Sequence, residues 1–151
     1  MPLPFSDQSL LYILTSLECI EKINIYISGF DKSKDFFSSH DQQPFNASCH
    51  LLLAIGEECG KIDETLKDEF SFVDWANIIG LRNRIAHDYR GIDFDIVFAI
   101  CKNELSLLKE VLVKMIAIIK PDTDSFNTLL EQPYFNHLGY LKLSTDSRND
   151  S

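Results

Sequence analysis

Hydrophobic residues recur every three or four positions through most of the chain, the spacing that one face of an α-helix requires. In the first segment Leu10, Leu14, Leu17 and Ile20 follow this spacing, and the pattern continues as far as Gly29. No segment alternates apolar and polar residues over several positions, so the pattern predicts no β-strand. The chain is therefore expected to be all-α.

Four main helices and one brief helix follow from this pattern. Pro44 suits the first turn of the second long helix, and Gly91 suits the position just past the end of the third. The predicted segments are residues 6–29, 35–37, 44–67, 74–90 and 93–119. Long amphipathic helices joined by short connections predict an up-and-down helical bundle.

The last thirty residues differ from the rest. Residues 1–120 are expected to form one helical domain, and residues 121–151 a C-terminal extension with one short helix and then a disordered end. Its apolar residues, such as Leu130, Phe135 and Leu141, could cover the bundle, contact a partner or close over a cleft.

Composition narrows the class of protein. The chain has 151 residues and a net charge of −9, which disfavours nucleic-acid binding through overall charge but leaves a local basic cluster possible. It shows neither a signal peptide nor a membrane span, so a cytoplasmic protein is expected. The four irregularly spaced cysteines predict reduced, buried thiols rather than a zinc site: Cys19, Cys49, Cys59 and Cys101.

The run LRNRIAHDYRG, residues 81–91, gathers three arginines, a histidine and a tyrosine in this acidic chain. On a helix, Leu81 and Ile85 would face the core, while Asn83 and His87 lie one turn apart on the other side. Arg82 and His87 would be about 140° apart around the axis, so they could converge on a ligand in a cleft rather than touch.

The chemistry of this face suits phosphate. An arginine offers a planar fork of donors to phosphate oxygens, and an imidazole takes or gives a proton near neutral pH. Arg82 and His87 could therefore support metal-free RNA cleavage, in which the 2′-hydroxyl is the nucleophile. The alternative is a solvated helix face, with Arg84 paired to Asp88 and Tyr89 packed at the helix end.

The full run RNRIAHDY contains R-x4-H-x-Y, which resembles the motif of the HepT family of bacterial HEPN ribonuclease toxins. The resemblance covers about residues 8–119 and includes the GE pair at 56–57, Trp75 and HDYRGID. It implies a HEPN-like bundle that forms a homodimer, with the two motif helices facing each other across a shared cleft. The extension after residue 120 departs from the family's usual short ending.

The resemblance also assigns roles. It implies a metal-independent endoribonuclease without a cofactor, acting on RNA such as tRNA or mRNA, with Arg82 and His87 as the catalytic pair and Asn83 as the polar residue that follows the arginine. It implies an MNT-type nucleotidyltransferase antitoxin as partner, which transfers AMP from ATP to the motif tyrosine, here Tyr89. Added bulk and negative charge would then compete with RNA for the arginines.

Two supporting residues and two rival functions complete the expectations. Glu57 either orients Arg82 or is a surface acid. Arg84 would be one of the three arginines that each chain contributes, so that a dimer gathers six in its cleft. One rival function is a non-catalytic subunit that docks a nucleotidyltransferase and presents a substrate to it. The other is a structural bundle whose basic helix faces water.

Overall fold

In the computed structural model, residues 6–85 and 93–144 are described, with side chains from residue 8 onward. These residues form helices and turns without a β-strand, which confirms the all-α prediction for this part of the chain. The α-helices are α1 (Ser6–Ile27), α2 (Ser33–Ser38), α3 (Gln43–Lys61), α4 (Glu64–Asp68), α5 (Trp75–Ile79), α6 (Leu81–Ile85), α7 (Phe94–Ala99), α8 (Leu105–Ile119) and α9 (Thr123–Leu130).

The core lies between α1, α3 and α8. Helix α1 packs along α3 and also contacts α8, and the motif-bearing α5 and α6 lie against α3. The apolar stripe predicted for the first segment is buried, with Leu14, Leu17 and Ile20 fully inaccessible to water. Within the described residues no helix is long and apolar enough to cross a bilayer.

The second predicted helix is shorter than the sequence indicated. Helix α3 ends at Lys61, and Ile62 adopts an extended conformation. Asp63 then begins α4, because its side chain accepts a hydrogen bond from the Thr65 N–H. The Nζ of Lys67, a residue only 2% exposed, donates to the carbonyl oxygens of Cys59 and Gly60. The prediction of one helix to residue 67 was wrong, because the Lys67 ammonium binds carbonyl oxygens of the last turn of α3 and so stabilises the end of that helix.

The last long helix begins where the pattern placed it, but it contains an irregular turn. Asp93 caps α7 by accepting hydrogen bonds from the N–H groups of Asp95 and Ile96. A π-helical turn, Ile100–Glu104, then joins α7 to α8. Near the start of this segment α2 packs against α7, where the rings of Phe37 and Phe94 stack with centroids 4.7 Å apart.

The C-terminal segment packs against the bundle. Helix α9 and the 3₁₀ turns after it bury four apolar side chains: Phe126, Leu130, Phe135 and Leu138. Glu18, a buried acid of α1, accepts hydrogen bonds from the backbone N–H of His137 at 2.8 Å and contacts its Nδ1 at 2.5 Å. Leu130 and Phe135 thus cover the bundle, whereas Leu141 is only partly buried. The predicted disordered end at 145–151 lies outside the described residues.

Two parts of the predicted architecture stay predictions. The third main helix was expected to run to residue 90, and residues 86–92 lie outside the described part of the chain. The count of four main helices therefore remains a prediction, as does the homodimer.

Candidate active site

The motif segment, residues 75–85, begins with a capped helix. The side chain of Asp74 accepts a hydrogen bond from the Asn77 N–H and so starts α5. The Nε1 of Trp75 donates to the Phe70 carbonyl oxygen at 3.1 Å, which fixes the partly buried indole at the start of this helix. Trp75 thus anchors the start of the motif segment.

A glycine lets α3 approach the motif segment closely. A β-carbon on Gly56 would lie 3.0 Å from the Ile78 carbonyl oxygen and 3.3 Å from that of Ile79. Backbone atoms cannot move aside as a flexible side chain can, so only glycine allows this distance. The next residue along α3, Glu57, is consequently placed beside the motif segment.

The motif helix bends before it reaches Arg82. Gly80 ends α5 with φ −79° and ψ 5°, and α6 begins at the next residue. The Arg84 N–H still donates to the Gly80 carbonyl oxygen at 3.0 Å, so the chain bends without losing this hydrogen bond. The sequence predicted one unbroken helix here, and the expectation that Leu81 and Ile85 face the core is confirmed by their burial.

Arg82 is the most accessible charged group of the described motif residues. Its side chain is 71% exposed, and its Nη1 lies 3.8 Å from the Oε1 of Glu57, which is itself 60% exposed. An ion pair this long and this exposed contributes little free energy, so it leaves the guanidinium available to a ligand. Glu57 thus lies beside Arg82 and is at the same time an exposed surface acid. Whether it orients Arg82 stays a prediction.

Arg84 is held differently. Its Nη2 lies 3.4 Å from the Oε2 of Glu104, and its side chain is 30% exposed. The other carboxylate oxygen of Glu104 accepts a hydrogen bond from the Asn77 Nδ2 at 3.2 Å. The sequence offered Asp88 as a partner for Arg84, and Asp88 lies outside the described residues. The sequence did not predict Glu104 as the partner of Arg84, because no local spacing rule connects two residues that are twenty positions apart.

Of the remaining predicted site residues, one is exposed and two lie outside the described part of the chain. Asn83 is exposed beside Arg82. His87 and Tyr89, the predicted proton-transfer group and modification site, lie outside the described residues, so their distance to Arg82 stays a prediction. An open groove of about 280 Å³ borders this region, lined by Phe72, Val73, Asp74, Asn77, Ile78, Asn103, Glu104, Leu107 and Leu108.

The cysteines offer no nucleophile to this site. All four are free and buried, as predicted. Burial raises the pKa of Cys19 and Cys49 to about 11 and that of Cys59 and Cys101 to about 12, so the thiols are protonated at neutral pH. Among the described side chains, no cluster of three or more His, Cys, Asp or Glu could hold a metal ion.

Several proteins of Methanocaldococcus jannaschii are similar to this chain. "Putative RNase MJ1380" is 34% identical over 64 residues, which are 42% of this chain and 59% of that protein. "Gamma-glutamylcyclotransferase and putative RNase MJ0434" is 26% identical over 70% of this chain and 46% of that protein. "Putative RNase MJ0125" is 25% identical over 60% of this chain and 78% of that protein.

The first two of these alignments span about half to three-fifths of the relatives' own length. No solved structure matches the chain. The model of one family, described as "Ribonuclease HepT-like", matches residues 16–115, which include the whole R-x4-H-x-Y run and both residues of the Gly56–Glu57 pair. Because this match covers most of the helical bundle, the chain belongs to the HepT-like ribonuclease family.

Proposed function

We propose that this protein is the toxin of a type VII-like HEPN/MNT toxin–antitoxin pair and cleaves RNA without a metal ion. The observation that carries the proposal is an exposed guanidinium, Arg82, on a motif segment that the ribonuclease family model covers in full. The side chain of Arg82 is 71% exposed and only loosely paired with Glu57, so it is accessible to a phosphate. The related archaeal proteins carry ribonuclease names, which supports the same reaction class.

The proposed reaction is an internal phosphoryl transfer. The 2′-hydroxyl oxygen attacks the adjacent phosphorus, a new P–O2′ bond forms and the P–O5′ bond breaks. The imidazole of His87 handles the proton that leaves the 2′-hydroxyl or the one that reaches the 5′-oxygen. Arg82 stabilises the negative charge that develops on the phosphorane oxygens. RNA supplies the nucleophile, so the reaction consumes no metal-bound water.

A homodimer would help an acidic chain to hold RNA. Two copies of the motif segment facing each other would bring two Arg82 side chains and two His87 side chains to one cleft. Within about 8 Å, the Debye length at physiological salt, such a local cluster can outweigh a repulsive net charge of −9. The contribution of Arg84 to this attraction is reduced, because Glu104 lies against it.

Growth arrest on expression tests the enzyme against the docking alternative. We expect the wild-type chain to stop growth, and His87→Ala and Arg82→Ala to relieve the arrest. His50→Ala is the matched control, because His50 is an exposed histidine of α3 that does not belong to the R-x4-H-x-Y run. Equal arrest by all four proteins at equal expression would contradict catalysis by this pair and favour a non-catalytic docking subunit.

The proposed switch is AMP transfer to Tyr89 by an MNT-type nucleotidyltransferase antitoxin. The phenolic oxygen would attack the α-phosphorus of ATP, and pyrophosphate would leave. With the nucleotidyltransferase of a neighbouring reading frame and ATP, mass spectrometry should find an adenylyl group on Tyr89 and none in Tyr89→Phe. Tyr134→Phe is the control, since Tyr134 is 76% exposed and accessible to a promiscuous transferase. An adduct only at other residues would place the switch elsewhere.

A further inference from the structure

Glu104 lies at an irregular point of the last long helix. It is the final residue of the π-helical turn Ile100–Glu104 and comes directly before α8. A π-helical turn holds one residue more than the α-helical pattern and rotates the side chains that follow, and such turns occur frequently at functional sites. Here the irregular turn lies next to the motif segment, which Glu104 contacts.

The carboxylate of Glu104 joins both sides of the bend in the motif segment. Its Oε1 accepts a hydrogen bond from Asn77 of α5, and its Oε2 pairs with Arg84 of α6. Gly80 separates α5 from α6, which the structure describes from Leu81 to Ile85. One side chain therefore constrains the angle at which α6 leaves α5.

The two arginines of α6 consequently differ in availability. Arg84 is 30% exposed and faces a carboxylate that also holds Asn77. Arg82 is 71% exposed, and its distance to Glu57 is longer, at 3.8 Å. A phosphate that reaches this surface would meet two guanidinium groups. Glu104 compensates the charge of Arg84, whereas the charge of Arg82 is only weakly compensated by Glu57.

We propose that Glu104 is a positioning residue of the site: it fixes α6 across the Gly80 bend and neutralises Arg84, so that Arg82 is the guanidinium presented to phosphate. The catalytic consequence rests on the proposed ribonuclease function, whereas the orientation of α6 does not. The structural basis is that one carboxylate contacts two other helices through its two oxygens.

Hydrogen exchange tests the structural half of the proposal. In Glu104→Ala, the Arg84 amide, which donates to Gly80 across the bend, should exchange about tenfold faster or more, as expected for local opening. Amides of α1 and of the end of α8 should keep their rates. Glu110→Ala is the matched control, because Glu110 is an exposed acid of α8 that pairs with Lys114. Equal Arg84 exchange in Glu104→Ala and the control would overturn the proposal.

Kinetics test the catalytic half. With a defined RNA as substrate, Glu104→Ala should lower kcat about tenfold or more, because a displaced catalytic group stabilises the transition state poorly. KM should stay the same or fall, since Arg84 is released and adds positive charge. The charge-reversed pair, Glu104→Arg with Arg84→Glu, should recover part of kcat, and Glu110→Ala should equal the wild type.

The outcomes separate the two proposals. A kcat unchanged in Glu104→Ala, or a loss confined to KM, would contradict the positioning role even if exchange is faster. If the wild-type protein itself cleaves no RNA, the proposed function fails, and the exchange experiment still decides whether Glu104 fixes α6.

Discussion

The C-terminal segment from Thr123 to Leu143 and the motif segment from Trp75 to Ile85 are both attached to the side of the bundle by buried apolar side chains, but they differ in how much they bury and in how exposed their charged groups are. The C-terminal segment buries Phe126 to 1% exposure and adds three further apolar side chains to the core. Burying one such side chain is worth about 1.5–3 kcal/mol. The polar contacts of the motif segment are half-exposed ion pairs, which are worth about 1 kcal/mol or less each.

The groups that stabilise the fold are therefore different from the groups proposed for catalysis. The proposed role of Arg82 requires a guanidinium that is not buried. Helix α6 is placed by the close approach at Gly56, by the buried Leu81 and Ile85, and by exposed carboxylates. The C-terminal segment has no such restriction, and its His137 satisfies Glu18, a buried acid of α1. The segment after residue 120 thus contributes to the fold although it lies beyond the match to the family model.

The largest effect on stability is expected from the C-terminal segment. Phe126→Ala should lower the free energy of unfolding by about 3–5 kcal/mol, because it removes a fully buried ring and leaves a cavity. Tyr134→Ala, at a side chain 76% exposed, should change it by less than about 0.5 kcal/mol. Urea denaturation measures both. Equal effects would mean that the segment is not part of the cooperative core.

The close approach of α3 to the motif segment predicts an intermediate effect. Gly56→Ala should cost about 1–3 kcal/mol, because the new methyl group meets backbone oxygens at 3.0 and 3.3 Å. Gly60→Ala is the matched control, one turn further along the same helix. Its methyl group would meet only Ile79 side-chain atoms, at 3.7 Å or more. We expect Gly60→Ala to be neutral or stabilising by up to about 1 kcal/mol, since alanine favours the helix. Equal losses in both variants would remove the special role of Gly56.

Alkaline pH should weaken the core through its thiols. Burial raises the pKa of Cys59 from 9.0 to about 12, so the unfolded chain loses this proton at a lower pH than the native chain does. The stabilising contribution is complete below pH 9 and is lost as pH rises from 9 towards 12, by roughly 1 kcal/mol at pH 10. Urea denaturation at pH 8 and pH 10 should show a smaller decline in Cys59→Ala than in the wild type. An equal decline would assign the pH dependence to other groups.

The smallest effect on stability is expected at the motif. Glu57→Ala should change the free energy of unfolding by less than about 0.5 kcal/mol, because its pair with Arg82 is long and exposed. A double-mutant cycle with Arg82→Ala should give a coupling energy below about 1 kcal/mol. A larger coupling would mean that Arg82 is held in place and is not available to a ligand.

The sequence predicts what local spacing controls. Leu14 and Leu17 of α1 are buried as their periodicity requires, and Asp93 and Gln43–Pro44 begin helices where the pattern placed them. The break after Lys61 was missed because Ile62 and Leu66 continue the apolar spacing, while the cause is a buried lysine, Lys67, that reaches back to α3.

The candidate site divides in the same way. Arg82 and Asn83 are exposed, as the helical arrangement of LRNRI predicts. The contact of Glu104 with Asn77 and Arg84 could not be predicted, because it joins residues 27 and 20 positions apart across three helical segments. A visible signal was the run of three consecutive polar residues, Lys102–Asn103–Glu104, in the middle of an amphipathic helix, which marks the irregular turn only in retrospect.

The central proposal is that Arg82, exposed and only loosely paired with Glu57, is the phosphate-binding guanidinium of a metal-independent ribonuclease site. The most direct measurement is cleavage of a defined RNA by the purified protein in EDTA, comparing the wild type with Arg82→Ala and with Lys114→Ala, an exposed cation similarly paired to an exposed acid. We predict cleavage that depends on the 2′-hydroxyl, a loss of about 100-fold or more in Arg82→Ala, and no loss in Lys114→Ala. Equal rates for all three proteins, or cleavage that disappears in EDTA, would contradict the claim.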